Sequence, residues 1–178
     1  LMREMVLGQD SNFTMESFIQ RYNSDLANDF GNLLSRVTTL IKKNYDGKIP
    51  EPGEYLDSDL QIRLKGESLS SKVEVLIGEM RLNEAIEDIM QYIRTVNKYM
   101  EENAPWKLVK EDKVAAGRIL YVAGEALRLG AVLLSPVMPH RTRILLDALN
   151  ALNTNTSWGK LNPNSILKDH EPLFPRIK

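Results

Sequence analysis

The sequence contains no cysteine. That excludes a disulfide framework, a thiolate metal site and a cysteine nucleophile. It contains two histidines, His140 and His170, thirty positions apart and in loop-like or helix-start contexts. They lack the spacing of metal ligands and supply no base for a Ser-His-Asp set, so no metal site and no catalytic residue is expected. No apolar run approaches the roughly 20 residues that span a bilayer. The longest, LGAVLLSPVMP, is short and broken by two prolines, and there is no secretory signal. Charge of one sign is also missing. With 23 Lys and Arg against 24 Asp and Glu the net charge is −1, not the basic excess of a protein that coats duplex nucleic acid, so no DNA partner is expected. Recognition of a few unpaired bases survives that test, because it needs placed groups more than bulk charge. Neither a GxxxxGK[ST] loop nor a GxGxxG turn is present.

What is present is core-building material. Hydrophobic residues make up 43% of the 178 positions, enough for one packed domain, or a domain with a tail. Residues 1–13 read as a short extended lead-in. Thr14 then offers an N-cap hydroxyl, flanked by Phe13 and Phe18 at hydrophobic-staple positions. From Met15 to Asn44 the apolar side chains Ile19, Tyr22, Leu26, Phe30, Leu33, Val37, Leu40 and Ile41 fall in one arc of roughly 100°. This predicts an α-helix of about eight turns, about 45 Å long. NYDGKIPEPGEY ends it as a loop. Further helices are predicted over Asp57 to Ile77, weakened by Gly66, over Leu82 to Glu102, over Asp112 to Leu134 and over Arg141 to Leu152. The fourth is rich in small and apolar residues and is expected at the centre. Pro105 in NAPW stops the third helix, and SPVMPH breaks the fourth. Nothing alternates with period two. The fold class is therefore all-α: a bundle of about five helices over 14–152. An irregular tail, 153–178, packs on it through Trp158, Leu167, Leu173 and Phe174.

Two features are not needed by that core. Asn28, Asn32 and Arg36 form an i, i+4, i+8 row off the apolar stripe. An amide offers a donor and an acceptor and a guanidinium offers a planar fork of donors, a combination suited to the edge of an unpaired base. Trp106 follows a proline stop, with Lys107 and Lys110 after it, and can present a flat face for stacking. Taken alone, each has a plainer explanation: a solvated helix face for the row, and a ring packed over a helix junction for the tryptophan. Carboxylates such as Glu84, Glu87 and Asp88 fit a solvated helix face.

Taken together and in order, RYNSDLANDFGNLLSR at 21–36, YMEENAPWKL at 99–108 and LSPVMPHRTRIL at 134–145 resemble the anticodon-binding domain of the methionyl-tRNA synthetase family. LMREMVLGQDSNFT resembles the segment where the family's chain leaves its catalytic domain, so 1–13 would be the connector. PLFPRIK resembles the end of the family's helical domain. The resemblance spans nearly the whole chain. It implies that Asn32 and Arg36 read the first base of a CAU anticodon, a cytosine, and that Trp106 stacks on it. Asn28 would assist, and Glu101 would orient Arg36 by a charge-assisted bond. It implies the anticodon loop of tRNA(Met) as partner, together with the family's own N-terminal catalytic domain, and a cytoplasmic location. Sequences resembling the class I signatures HIGH and KMSKS are absent. Activation of methionine with ATP and Mg, and transfer to tRNA, would therefore occur in a domain preceding Leu1. A chain that starts at Leu1 rather than Met reads as a piece of a longer ligase, with no cofactor of its own. Three alternatives remain at this point: a helical protein–protein interaction module without an RNA role, the equivalent domain of another class I synthetase, and a self-contained enzyme of another type.

Overall fold

A computed structural model describes residues 2–3 and 14–177. Of the lead-in expected over 1–13, residues 1 and 4–13, and with them Phe13 of the staple, lie outside the described residues. Thr14 caps the first helix as expected, its Oγ1 accepting from the Ser17 amide at 3.1 Å. The first helical stretch is not α-helical throughout. It runs as α1 (Met15–Arg21), widens into a π-helical segment (Tyr22–Gly31), and returns to α geometry in α2 (Asn32–Asn44). In π geometry amides bond five residues back rather than four, and the Asn32 amide still reaches Ala27. The wider turn rotates the predicted stripe out of register. α1 buries nothing and the π segment buries only Phe30, whereas α2 buries Leu33, Leu34, Val37, Thr38 and Ile41.

The other predicted helices are α3 (Asp57–Gly78), α4 (Leu82–Asn103), α6 (Lys113–Leu134) and α7 (Pro139–Ala148), with a single unanticipated turn, α5 (Pro105–Leu108), between α4 and α6. α7 starts on Pro139, at the position where a missing amide costs nothing, and stops four residues short of the predicted end. α6 is the axis. It packs against α2, α3, α4, α5 and α7, and every residue from Ile119 to Val132 is buried. Gly66, which weakens the helical pattern of α3, is a contact point. A Cβ there would sit 2.6 Å from Tyr92 Oη and 2.9 Å from Leu129 Cδ2.

The centre also holds charge. Glu125 and Arg128, both fully buried on α6, pair through two hydrogen bonds of 2.9 and 2.8 Å. Their remaining capacity is spent on the tail: Glu125 accepts from the Lys160 and Leu161 amides, and Arg128 donates to the Asn155 and Ser157 carbonyls. A second buried carboxylate, Asp59, accepts from Tyr99 Oη at 2.5 Å and lies 2.7 Å from Arg118 Nε, off the N–H axis.

The tail packs on the bundle. Residues 164–167 pair with 47–49 through an antiparallel bridge, Lys48 to Ile166. Leu167, Leu173 and Phe174 are buried, and the half-buried Trp158 donates to Tyr55 Oη at 3.0 Å. Phe174 meets Tyr22 edge-on at 6.1 Å and lies 6.3 Å from Phe30. Asn23 bonds both backbone groups of Ile177, and five residues on, Asn28 Oδ1 accepts from Arg176 at 2.6 Å. That spacing of five is the π register: it places both asparagines on the face where the tail lies. Among the described residues there is no strand beyond the isolated bridge, and no helix is long and apolar enough to cross a membrane.

Candidate nucleic-acid interface

The break NAPW sets the site. Asn103 Nδ2 bonds back to the Tyr99 carbonyl at 2.9 Å. Ala104 then turns the chain in left-handed geometry, φ 39° and ψ 57°. This conformation costs an alanine about 1–2 kcal/mol. Pro105 follows, buried at the first position of α5. The reversal carries the half-exposed Trp106 back against α2, and there it meets Arg36, whose Cζ lies 4.8 Å from the ring centroid. Arg36 Nη1 lies 2.7 Å from Glu101 Oε1 on the last turn of α4.

Three elements thus converge on one guanidinium. Glu101 keeps 61% of its side chain exposed and Arg36 24%, so the ion pair contributes less than about 1 kcal/mol. The cation–π contact adds about 0.5–1 kcal/mol. These are orienting forces. They hold the planar fork in place and leave most of its N–H donors open. Ser35, Arg36, Thr39, Leu40 and Trp106 line a shallow depression of about 320 Å³.

Asn32 is exposed, and among the described residues nothing hydrogen-bonds to its side chain. The amide therefore keeps its full capacity as donor and acceptor. The structure does not bring it to the same depression as Arg36. Asn32 and Asn28 line a larger groove of about 710 Å³ between the π segment and the tail. The predicted row of Asn28, Asn32 and Arg36 is therefore bent. Only Asn32 and Arg36 share α geometry, and Asn28 is turned to the tail by the π register, its acceptor occupied by Arg176. Ser35 lines both cavities. Ser35, His170 and Arg176 carry no assignment from sequence. Arg176 stands in the quoted PLFPRIK, but only the fold brings it beside Asn28, 148 positions away in the chain.

Away from this face the charged groups compensate one another. Arg94 pairs with Asp29 and Glu87 at 3.1 and 3.2 Å, and Arg3 contacts Asp25 and Glu87. Glu87 and Asp88 are thus half-buried and ion-paired, Asp88 with Lys72 at 2.7 Å, rather than a freely solvated face. Burial by itself raises the Glu87 carboxyl, but Arg3 and Arg94 outweigh it and hold the group below the usual glutamate range. Among the described residues no group of His, Asp and Glu has the arrangement of a metal site. His140 is exposed near the start of α7.

The family model for the anticodon-binding domain of methionyl-tRNA ligase matches residues 49–171. The chain belongs to the methionyl-tRNA ligase anticodon-binding domain family. A second model, class I tRNA synthetases (M), matches residues 1–38. Asn32 and Arg36 thus fall in one matched segment and Trp106 in the other, and the contact between α2 and α5 ties the two together. Among curated relatives, the methionine–tRNA ligase of Caldanaerobacter subterraneus is 36% identical over 99% of this chain, and that of Thermotoga maritima is 35% identical over 99%. The chain spans 29% of the length of each. Apo Mycobacterium tuberculosis methionyl-tRNA synthetase superposes with a TM-score of 0.94 at 32% identity, over 99% of this chain and 37% of that one. The same enzyme bound to methionyl-adenylate superposes at 0.92 over 98% of this chain and 36% of that one. The all-α bundle expected from sequence is therefore the fold of this family's helical domain.

Proposed function

We propose that this domain reads the CAU anticodon of tRNA(Met) on behalf of a methionine–tRNA ligase. Arg36 and Asn32 supply hydrogen bonds to the edge of the first anticodon base, and Trp106 supplies the stacking face. Glu101 positions Arg36. The observation that carries this is the convergence of Arg36, Trp106 and Glu101 from three separate helices, beside an amide with no partner among the described residues. A packed helix junction needs no guanidinium held half-open over an indole. A solvated helix face would leave Arg36 apart from Trp106.

The division of labour follows from the chemistry. Loop bases can be splayed out and read on their edges, while paired RNA hides them. Stacking is tolerant of base identity and is worth about 1–3 kcal/mol per base. A two-point contact to a base edge discriminates by about 1–3 kcal/mol on the DNA-derived scale. Trp106 therefore supplies affinity, and Arg36 with Asn32 supplies choice. Lys107 and Lys110 are exposed beside the ring and suit loop phosphates. Activation of methionine with ATP is assigned to a catalytic domain outside this chain, docked on the helical bundle.

The test uses Trp106 as its own reporter. In a Trp158→Phe background the remaining indole fluorescence is followed while a CAU stem-loop is added. A saturable change that is lost in Arg36→Ala supports the site. Binding with an unaltered Trp106 signal removes the stack from the account.

A further inference from the structure

We infer that the groove between the π segment and the tail is a second nucleotide subsite, and that Arg176 holds the phosphate joining its occupant to the first anticodon base. This rests on the anticodon-reading proposal above and extends it to Arg176.

Three observations carry it. The groove has about 710 Å³ of space, within the range of pockets that hold small ligands and roughly twice the Arg36–Trp106 depression. Ser35 lines both cavities, so the groove lies one residue's width from the Trp106 depression, within reach of a nucleotide next to the stacked base. Its polar and apolar parts are those a nucleotide uses. The remaining amide protons of Asn28 suit a base or ribose, Phe174 supplies apolar lining, and Arg176 lines the same groove. Arg176 is exposed and bonded only to the neutral Asn28 among the described residues, so its charge is uncompensated. Arg36 and Lys42, by contrast, are each paired with a carboxylate, Glu101 and Asp169. An uncompensated guanidinium beside a polar groove suits a phosphate diester, which it can engage with two parallel N–H bonds.

The same logic explains why the tail is fastened there. Asn23 clamps both backbone groups of Ile177, one residue beyond Arg176. The clamp needs the π register to align Asn23 with Asn28, and it fixes the cation at the groove instead of leaving it on a loose end.

The experiment measures binding of a CAU stem-loop to the full chain over a series of salt concentrations, with Arg176→Gln beside the native protein. Arg176 is exposed, so the variant keeps the core intact. Affinity should fall about twofold to fivefold whatever the first anticodon base, as for an exposed charge contact. The slope of log K against log salt should flatten by about 0.7, the value for one contact to a single strand. A stem-loop with an uncharged methylphosphonate is then used, placed in turn at each of the two linkages flanking the first anticodon base. At one of them the Arg176→Gln loss should vanish. Unchanged affinity and slope in Arg176→Gln, or a loss that persists with both linkages neutralised, overturns the inference. Trp106→Ala separates the two levels of the account. If Trp106→Ala weakens binding and Arg176→Gln does not, only the second subsite fails. If neither does, the anticodon-reading proposal fails with it.

Discussion

Replacing Glu125 by glutamine removes one charge from the middle of α6 and keeps the side chain's shape. The cost follows from what the carboxylate satisfies. It accepts two bonds from Arg128 and one each from the Lys160 and Leu161 amides, with neither member of the pair exposed. Glutamine keeps a single acceptor oxygen and turns an NH2 group toward donors. Arg128 then keeps a buried charge whose counter-ion is gone, a loss of about 3–5 kcal/mol. For a protein of this size each kcal/mol lowers the midpoint by about 2–4 °C, so Glu125→Gln should melt roughly 6–20 °C below the native chain. Urea unfolding followed by far-UV circular dichroism gives the free energy, and a thermal scan gives the midpoint. Removing both charges in Glu125→Leu/Arg128→Met should recover part of the loss, since apolar replacement of a buried pair is often neutral. Recovery stays incomplete because the tail's amides at 160 and 161 and its carbonyls at 155 and 157 lose their partners. A loss under about 1 kcal/mol for Glu125→Gln, or full recovery in the double variant, refutes the claim that this pair pins the tail to the core.

Three further outcomes are expected. Gly66→Ala should destabilise by about 1–3 kcal/mol in urea unfolding, because the new methyl would meet Tyr92 and Leu129 at 2.6 and 2.9 Å; this outweighs the gain in helix propensity of about 1 kcal/mol. Ala104→Gly should hold or raise stability by about 1 kcal/mol, since glycine adopts the left-handed turn of NAPW freely; a clear loss in the same assay would show that Ala104 is unstrained. Glu87 is held below the unperturbed 4.5 by Arg3 and Arg94 despite its burial. A depressed folded pKa contributes stability above the unfolded value that is lost as pH falls through the folded one. Glu87→Gln should therefore show a shallower drop in stability than the native chain on acidification below that value, and parallel curves would contradict the assignment.

The sequence carried the helices because periodicity and punctuation are local. Pro105 and Pro139 mark real boundaries, and Thr14 caps as its hydroxyl predicts. The pairing of Arg36 with Glu101 and the joint role of Arg36 and Trp106 come from resemblance, since nothing local links positions 36 and 106; that Trp106 packs on α2 is a finding of the fold. The π segment was not legible. It coincides with Asn23 and Asn28 bonding a tail about 150 positions away, a contact no helical pattern encodes. For the same reason helical spacing alone draws the row through Asn28 as straight and gives no sign of the groove at Arg176. The buried pair was within reach, because a glutamate and an arginine three apart inside an otherwise apolar α6 have no solvent to face.

The most direct measurement is the affinity of this chain for a CAU stem-loop against the same loop with its first anticodon base changed, at one fixed salt concentration, for the native protein, Arg36→Ala and Trp106→Ala. The account predicts a preference for CAU of about five- to 150-fold, equivalent to 1–3 kcal/mol. Arg36→Ala should lose that preference, and Trp106→Ala should keep it at lower overall affinity. Equal binding of both loops by the native protein, or a preference that survives in Arg36→Ala, would contradict it.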